Sequence, residues 1–313
     1  MTLTIRLLRE NELIDAEQLV RLAFGTFVGL PNPDEMFGDA AYIPHRWKAE
    51  PASAFAAELD GKLVGINLAR RWGSFGFVGP LTVHPELWNQ GIAQKLLVPV
   101  MDYFQQLNVE QVGLFTFAAS PKHHALYQKF GFWQHYLTCV MATPITPSSQ
   151  VLEHARYSQL SERDRAAALT SCFEITNEIF AGLEVAIEIN TVQAHNLGDT
   201  VLLWDKAELA GFAVCHAGAG TEAGSHRCYV KFAAVRLGAR AGERFEQLLD
   251  LCEMLGATLG ASSIVAGVNT SRNDAYRRMI ARGYHTEITG VAMLNPLAPA
   301  FNRADVYVLD DWR

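Results

Sequence analysis

The 313-residue sequence predicts an α/β (α+β) protein of two tandem domains, each a mixed, mostly antiparallel central sheet flanked by helices. Three observations predict it. The chain exceeds the roughly 100–150 residues of a usual single core. Segments with strand and helix periodicity run in one order, pass a Pro- and Ser-rich stretch, and then return in the same order. Landmarks also recur at constant spacing: Val83 and Val235, Leu97 and Leu249, and Gly131 and Gly283 are each 152 positions apart, the mark of an internal duplication.

The elements follow in order. TIRLL at 4–8 reads as a short strand, and the helix after it carries Leu13, Ala16, Val20, Ala23, Phe24 and Phe27 at three- or four-residue spacing, with Asn11 as its cap. SAFAAEL and KLVGINLARR flank Asp60-Gly61, the strongest short hairpin signal, and so pair antiparallel. FGFVGPLTV extends this meander and stops at His84-Pro85, because proline cannot continue a ladder. A helix covers Gly91 to Leu107, followed by the strand QVGLFTFA, the helix PKHHALYQKF and the strand FWQHYLTCVMAT.

Residues 1–143 are thus expected to form the first domain, 144–151 the linker and 152–313 the second domain. In the second, ARYSQL is a strand and Ser161 opens a helix with a capping-box-like pattern. VLLWD and ELAGFAVCHAG surround a turn at Asp205-Lys206-Ala207, and CYVKFAAV is a third strand. A helix over 240–257, the strand SSIVAGVN, a helix to Arg282 and a terminal β region complete the set.

Composition narrows the function. Hydrophobic residues at 50% and charged residues at 19% are ordinary globular values. A net charge of −7 without a basic run excludes the electrostatic footprint of a nucleic-acid binder. The first residues, MTLTIRLLREN, lack the apolar core of a signal peptide, and no stretch approaches the roughly 18 apolar residues of a membrane span. A cytoplasmic protein without a membrane partner is expected. Cys139, Cys172, Cys215, Cys228 and Cys252 are odd in number and scattered, which points to buried free thiols and away from disulfides or a thiolate metal site.

The chemistry concentrates where the strand ending in Leu81-Thr82-Val83 runs through His84-Pro85-Glu86-Leu87-Trp88-Asn89-Gln90-Gly91-Ile92-Ala93 into a helix. A helix start presents unpaired N–H groups and a positive partial charge, and the small Gly91 and Ala93 let phosphate oxygens approach the backbone. An anion is the expected ligand.

Residues 81–97 resemble the acyl-CoA-binding motif of the GCN5-related N-acetyltransferase family, R/Q-x-x-G-x-G/A, matching at Gly91 and Ala93 and departing at Trp88. Leu126-Tyr127-Gln128-Lys129-Phe130-Gly131-Phe132 resembles the family's L-Y-x-K-x-G-F ending, and Ser120 falls where the family often has Asn. The resemblance implies that backbone groups of Leu81, Thr82 and Val83 pair with the pantetheine arm, and that N–H groups from Trp88, Asn89, Gln90, Gly91, Ile92 and Ala93 hold the pyrophosphate. It also implies that Tyr127 protonates the departing thiolate. Acetyl-CoA is then the acyl donor, no metal is needed, and an amine of a small molecule or peptide is the acceptor. The chain acts as a monomer with an internal pseudo-dimer, or as a homodimer. The second expectation, from another class, is a non-catalytic acyl-CoA sensor.

The catalytic base has no assignment from sequence, since SFGFVGPLTV lacks the carboxylate many relatives place there. His84 reads as a loop residue; of the adjacent His123 and His124, at most one faces the site. Asp34, Glu35 and Asp39 read either as anchors for a cationic amine or as a solvated acidic loop. In the second domain the 152-residue offset turns Gly91 into Glu243, Ala93 into Phe245 and Tyr127 into Met279, with Tyr276 a turn away and Arg240-Ala241-Gly242 a loose echo of the loop. That copy is expected to keep the fold and lose the chemistry.

Overall fold

The computed structural model describes residues 2–146 and 152–313. The first half runs β1 (Leu3–Leu7), α1 (Leu13–Val28), α2 (Ile43–Ala49), β2 (Ala54–Leu59), β3 (Lys62–Trp72), β4 (Phe75–Val83), α3 (Ile92–Gln106), β5 (Gln111–Phe117), α4 (Pro121–Gln128) and β6 (Trp133–Pro144). The second runs β7 (His154–Arg156), α5 (Glu162–Ile179), α6 (Ala186–His195), β8 (Gly198–Asp205), β9 (Glu208–Gly218), β10 (Gly224–Val235), α7 (Ala241–Thr258), β11 (Ser263–Asn269), α8 (Asn273–Ala281), β12 (His285–Asn295) and β13 (Val308–Leu309).

The predicted hairpin forms at Asp60 and Gly61, whose φ values of 49° and 82° give the twist a two-residue loop needs between β2 and β3. Ser161 caps α5 by accepting the Asp164 N–H. Asn11 does not cap α1. It lies in a 3₁₀ turn, and Glu12 instead accepts the Arg9 N–H at 3.0 Å and pairs with Arg6. Gly131 and Gly283, landmarks of the repeat, both end a helix in the left-handed region at φ 80° and 88°, which explains why the spacing falls on glycine.

The register of the duplication is kept from β4 to β12. Phe75 pairs with Gln111 between β4 and β5, and Arg227 with Ser263, each 152 positions on, between β10 and β11. The strands form one continuous sheet in the order β1-β2-β3-β4-β5-β12-β6-β11-β10-β9-β8-β7, with β13 alongside β10. β6 of the first half and β12 of the second therefore each pair with a strand of the other half. β12 pairs with β5 through Val112↔Asn295, and β6 pairs with β11 through Ile264↔Thr143, the same register after the 152-residue shift. The sequence foresaw two repeats but not this exchange.

Of the predicted linker, Pro144 still belongs to β6 and the Ile145 N–H donates to the Ser262 carbonyl at 2.9 Å, while residues 147–151 lie outside the described part. Two buried cores flank the second half of the sheet, and one of them reaches across to Trp72, Phe75 and Phe77 of the first half. All five cysteines are buried and unbonded. Among the described residues no helix is long and apolar enough to cross a membrane.

Candidate active site

Pairing between β4 and β5 ends at Val78↔Leu114, so the remainder of β4, Gly79 to Val83, diverges from β5. A cavity of about 810 Å³ opens in that splay. The His84 N–H donates to the Val64 carbonyl at 2.8 Å, which turns the alternate backbone groups of Leu81 and Val83 to the open side. Leu81, Thr82 and Val83 all line the cavity.

The loop above is fixed by Trp88. Its indole N–H donates to the Val83 carbonyl at 2.7 Å, and the Lys122 ammonium sits 5.2 Å from its ring. This gives the departure from the family motif a physical use, since the indole ties the loop to the strand end. Asn89 (φ 67°) and Gly91 (φ 79°) are left-handed, and Gly91 is the N-cap of α3. The first helical bond runs from the Lys95 N–H to the Gly91 carbonyl at 3.2 Å. Among the described residues, the N–H groups of Asn89 through Gln94 have no backbone acceptor. Trp88, Asn89, Gly91, Ile92 and Ala93 line the cavity, and a Cβ built on Gly91 meets nothing within 4 Å.

Two residues expected at the cofactor lie off the cavity wall. Gln90 is exposed between Asn89 and Gly91, so only its backbone takes part in the loop. Ser120 is buried as the N-cap of α4, where its hydroxyl accepts the His123 N–H at 3.4 Å. Capping explains a Ser at that position without a ligand.

Helix α4 turns His123 and Tyr127, one turn apart, into the same cavity. Burial raises the Tyr127 phenol above its ordinary value, so it stays protonated at neutral pH. His123 is lowered, by burial first and then by Lys122 and His124, and stays neutral there. Its ring stacks on Phe27 at 4.6 Å, and its Nδ1 lies 3.4 Å from the Thr116 hydroxyl. His124 faces away and contacts the Phe117 carbonyl at 3.2 Å.

The far wall comes from Phe24 and Phe27 of α1, Met36, Phe37 and Phe117, with Arg46 and Arg313 at its base. Arg46 donates twice to Glu222 at 2.8 Å, and also to the main-chain carbonyls of Gly79 and Arg313. Sequence reasoning placed Phe24 and Phe27 on a core stripe and missed Arg46, because nothing in IPHRWKA distinguishes one basic residue from its neighbours. Asp34 and Glu35 are exposed in a turn, and Asp39 accepts from the Ser225 backbone at 2.8 Å and from its hydroxyl; none lines the cavity.

The matching place in the second half is filled. Ala233 and Ala234, 152 positions after Leu81 and Thr82, pair with Leu309 and Val308 of β13, and the Asp310 N–H donates to the Gly267 carbonyl at 3.0 Å. Helix α7 begins at Ala241, three residues before the position equivalent to Ile92, so helix replaces the open loop. Arg240-Ala241-Gly242 is thus helix start rather than a phosphate loop. Glu243 pairs with Arg240 at 3.0 Å, Phe245 is buried against Tyr307 with ring centroids 5.5 Å apart, and Met279 is fully buried.

Residues 17–132 match the family model described as acetyltransferase (GNAT) family. No curated protein matches the chain significantly. A solved structure of a putative acetyltransferase from Pyrococcus horikoshii is similar over 97% of this chain and 93% of its own, at TM-score 0.68 and 15% identity. A GCN5-related N-acetyltransferase from Sphaerobacter thermophilus matches over 93% and 95%, at 0.62 and 16%. The N-myristoyltransferase of Saccharomyces cerevisiae, solved with bound myristoyl-CoA, matches over 93% and 78%, at 0.62 and 8%. These TM-scores and coverages show a shared fold over both halves, and the family match falls on the half that holds the cavity. Through those residues the chain carries an acetyltransferase (GNAT) family domain, which supports an acyl-CoA-dependent N-acyltransferase.

Proposed function

We propose that the first half binds acetyl-CoA and transfers its acetyl group to a primary amine of a small molecule or peptide, by direct attack in a ternary complex. One observation carries this reading: the unpartnered N–H groups at the start of α3 open on the same cavity as Tyr127 and His123. In it, those N–H groups take the pyrophosphate, and the open backbone groups of Leu81 with the Val83 N–H take the pantetheine arm as an added strand. The amine nitrogen forms a C–N bond with the thioester carbonyl carbon as the C–S bond breaks. Tyr127 donates to the sulfur, which leaves as thiol, and the attacking nitrogen sheds its second proton through water, which restores the phenol and leaves a neutral amide.

An alkyl ammonium of pKa about 10.4 must lose a proton first, at a cost of about 5 kcal/mol near pH 7. Among the described residues no Asp or Glu side chain lines the cavity. Neutral His123 takes that proton, directly or through water. The second half carries no CoA, because β13 lies where the pantetheine arm would and α7 closes the loop.

A thiol-release assay with acetyl-CoA and a panel of primary amines tests the reading, with mass spectrometry of the product. The expected result is amine-dependent thiol release and a product 42 Da heavier than the amine, the mass of one acetyl group replacing hydrogen (~42 Da). Tight CoA binding without thiol release from any amine would overturn it.

A further inference from the structure

The chemistry of the cavity wall beyond the thioester narrows the acceptor. Resting on the acyl-transfer reading above, we propose that the acceptor is a primary amine attached to a bulky apolar group, aromatic or branched, and that amines with a second positive charge are rejected.

The space is aromatic. Phe24 lies 5.6 Å from Phe37 and 6.2 Å from Phe117, and Phe27 lies 4.9 Å from Phe117, as ring centroids. Val20 and Met36 complete this limb. Such a surface gains by covering apolar area, at roughly 25 cal/mol per Å². Arg46, Lys122, Lys129 and Arg313 line the cavity, Arg46 paired with Glu222 and Arg313 with Asp311, whereas among the described residues no Asp or Glu side chain lines it. Glu222 is engaged by both Arg46 and Lys231 at 2.8 Å, so it has no oxygen free of a cation to offer a ligand.

A polyamine or aminoglycoside would carry ammonium groups out of water into an aromatic space whose wall offers them no free carboxylate side chain, so their desolvation goes uncompensated. The same desolvation helps the attacking nitrogen, because an ammonium held among the aromatic rings has a lowered pKa and loses its proton to the neutral His123 more readily. A site without an Asp or Glu base therefore suits an acceptor with one amine and no other charge.

Purified full-length protein with acetyl-CoA should show kcat/KM for 2-phenylethylamine or tryptamine about 100-fold above that for spermidine, 1,4-diaminobutane or an aminoglycoside. A second arm pairs myristoyl-CoA with ethylamine. Faster turnover there than with acetyl-CoA and 2-phenylethylamine would assign the apolar limb to the acyl chain and overturn the proposal. Met36→Glu places a carboxylate at the half-buried rim and should narrow the monoamine preference at least about tenfold. Phe27→Ala, at an exposed position of α1, should raise KM for 2-phenylethylamine about tenfold without changing KM for acetyl-CoA. Equal or better use of spermidine by the wild type would overturn this proposal alone; thiol release from no amine would overturn the transfer reading, and this one with it.

Discussion

Tyr127 and His123 stand one helical turn apart, and their surroundings move them in opposite protonic directions. Burial holds the phenol protonated, so Tyr127→Phe should lower kcat about 10²-fold while KM for acetyl-CoA stays within a few fold, since in the proposed transfer the hydroxyl acts mainly on the leaving sulfur. Unchanged turnover in pre-steady-state mixing would remove Tyr127 from the mechanism. His123 must be neutral to accept a proton, and its folded pKa lies below the ordinary 6.5. kcat should therefore hold as pH falls to about 6.5 and decline below it. His123→Gln should abolish that acidic limb, and an identical limb in the variant would place the base elsewhere. The Tyr127 motif was legible in sequence because its neighbours repeat a family pattern. The choice between His123 and His124 was not, because it depends on which side of α4 meets the splay.

Helix α2 is joined to β10 by a buried ion network, with Arg46, Glu222 and Lys231 side chains each no more than 4% exposed. The two cations hold the Glu222 carboxyl well below its ordinary value of 4.5, against the cost of burial. A depressed folded pKa means stabilisation that is present above about 4.5 and is lost as pH falls through the lower folded value. Glu222→Gln should cost about 3–5 kcal/mol at neutral pH in denaturant melts, because it leaves two buried cations short of a partner. A cost under about 1 kcal/mol would contradict this account of the junction. Such a pairing spans 176 residues and leaves no local trace in sequence. Helix α6 was missed for another reason: Val185, Ile187 and Ile189 alternate as a strand would, and Glu188 is buried on the helix by Arg70 and Trp72, so no polar face marks it. The meander, α3 and α4 were legible because their turn residues and periodicities are local.

At the scale of the molecule, the duplication was legible as a spacing of 152, whereas the exchange of β6 and β12 was not, since a strand's pattern records its faces and not its neighbours. The exchange makes each half depend on the other: both sheet partners of β6, β11 and β12, belong to the second half. Residues 1–146 expressed alone should not form a folded monomer, giving dimers or aggregates by size-exclusion chromatography. A monomer with native circular dichroism would show that the halves are independent. The segment after β12 brings Trp312 and Arg313 to the first half's cavity, while its strand β13 fills the splay between β10 and β11. One copy is thereby left open and the other closed. Isothermal titration of the full chain with CoA measures this asymmetry most directly. The account predicts one CoA per chain for the wild type and none for a folded Gly91→Glu variant, whose side chain enters open cavity beside the pyrophosphate with like charge and at a left-handed φ of 79°. Two CoA per chain, or undiminished affinity in Gly91→Glu, would contradict it.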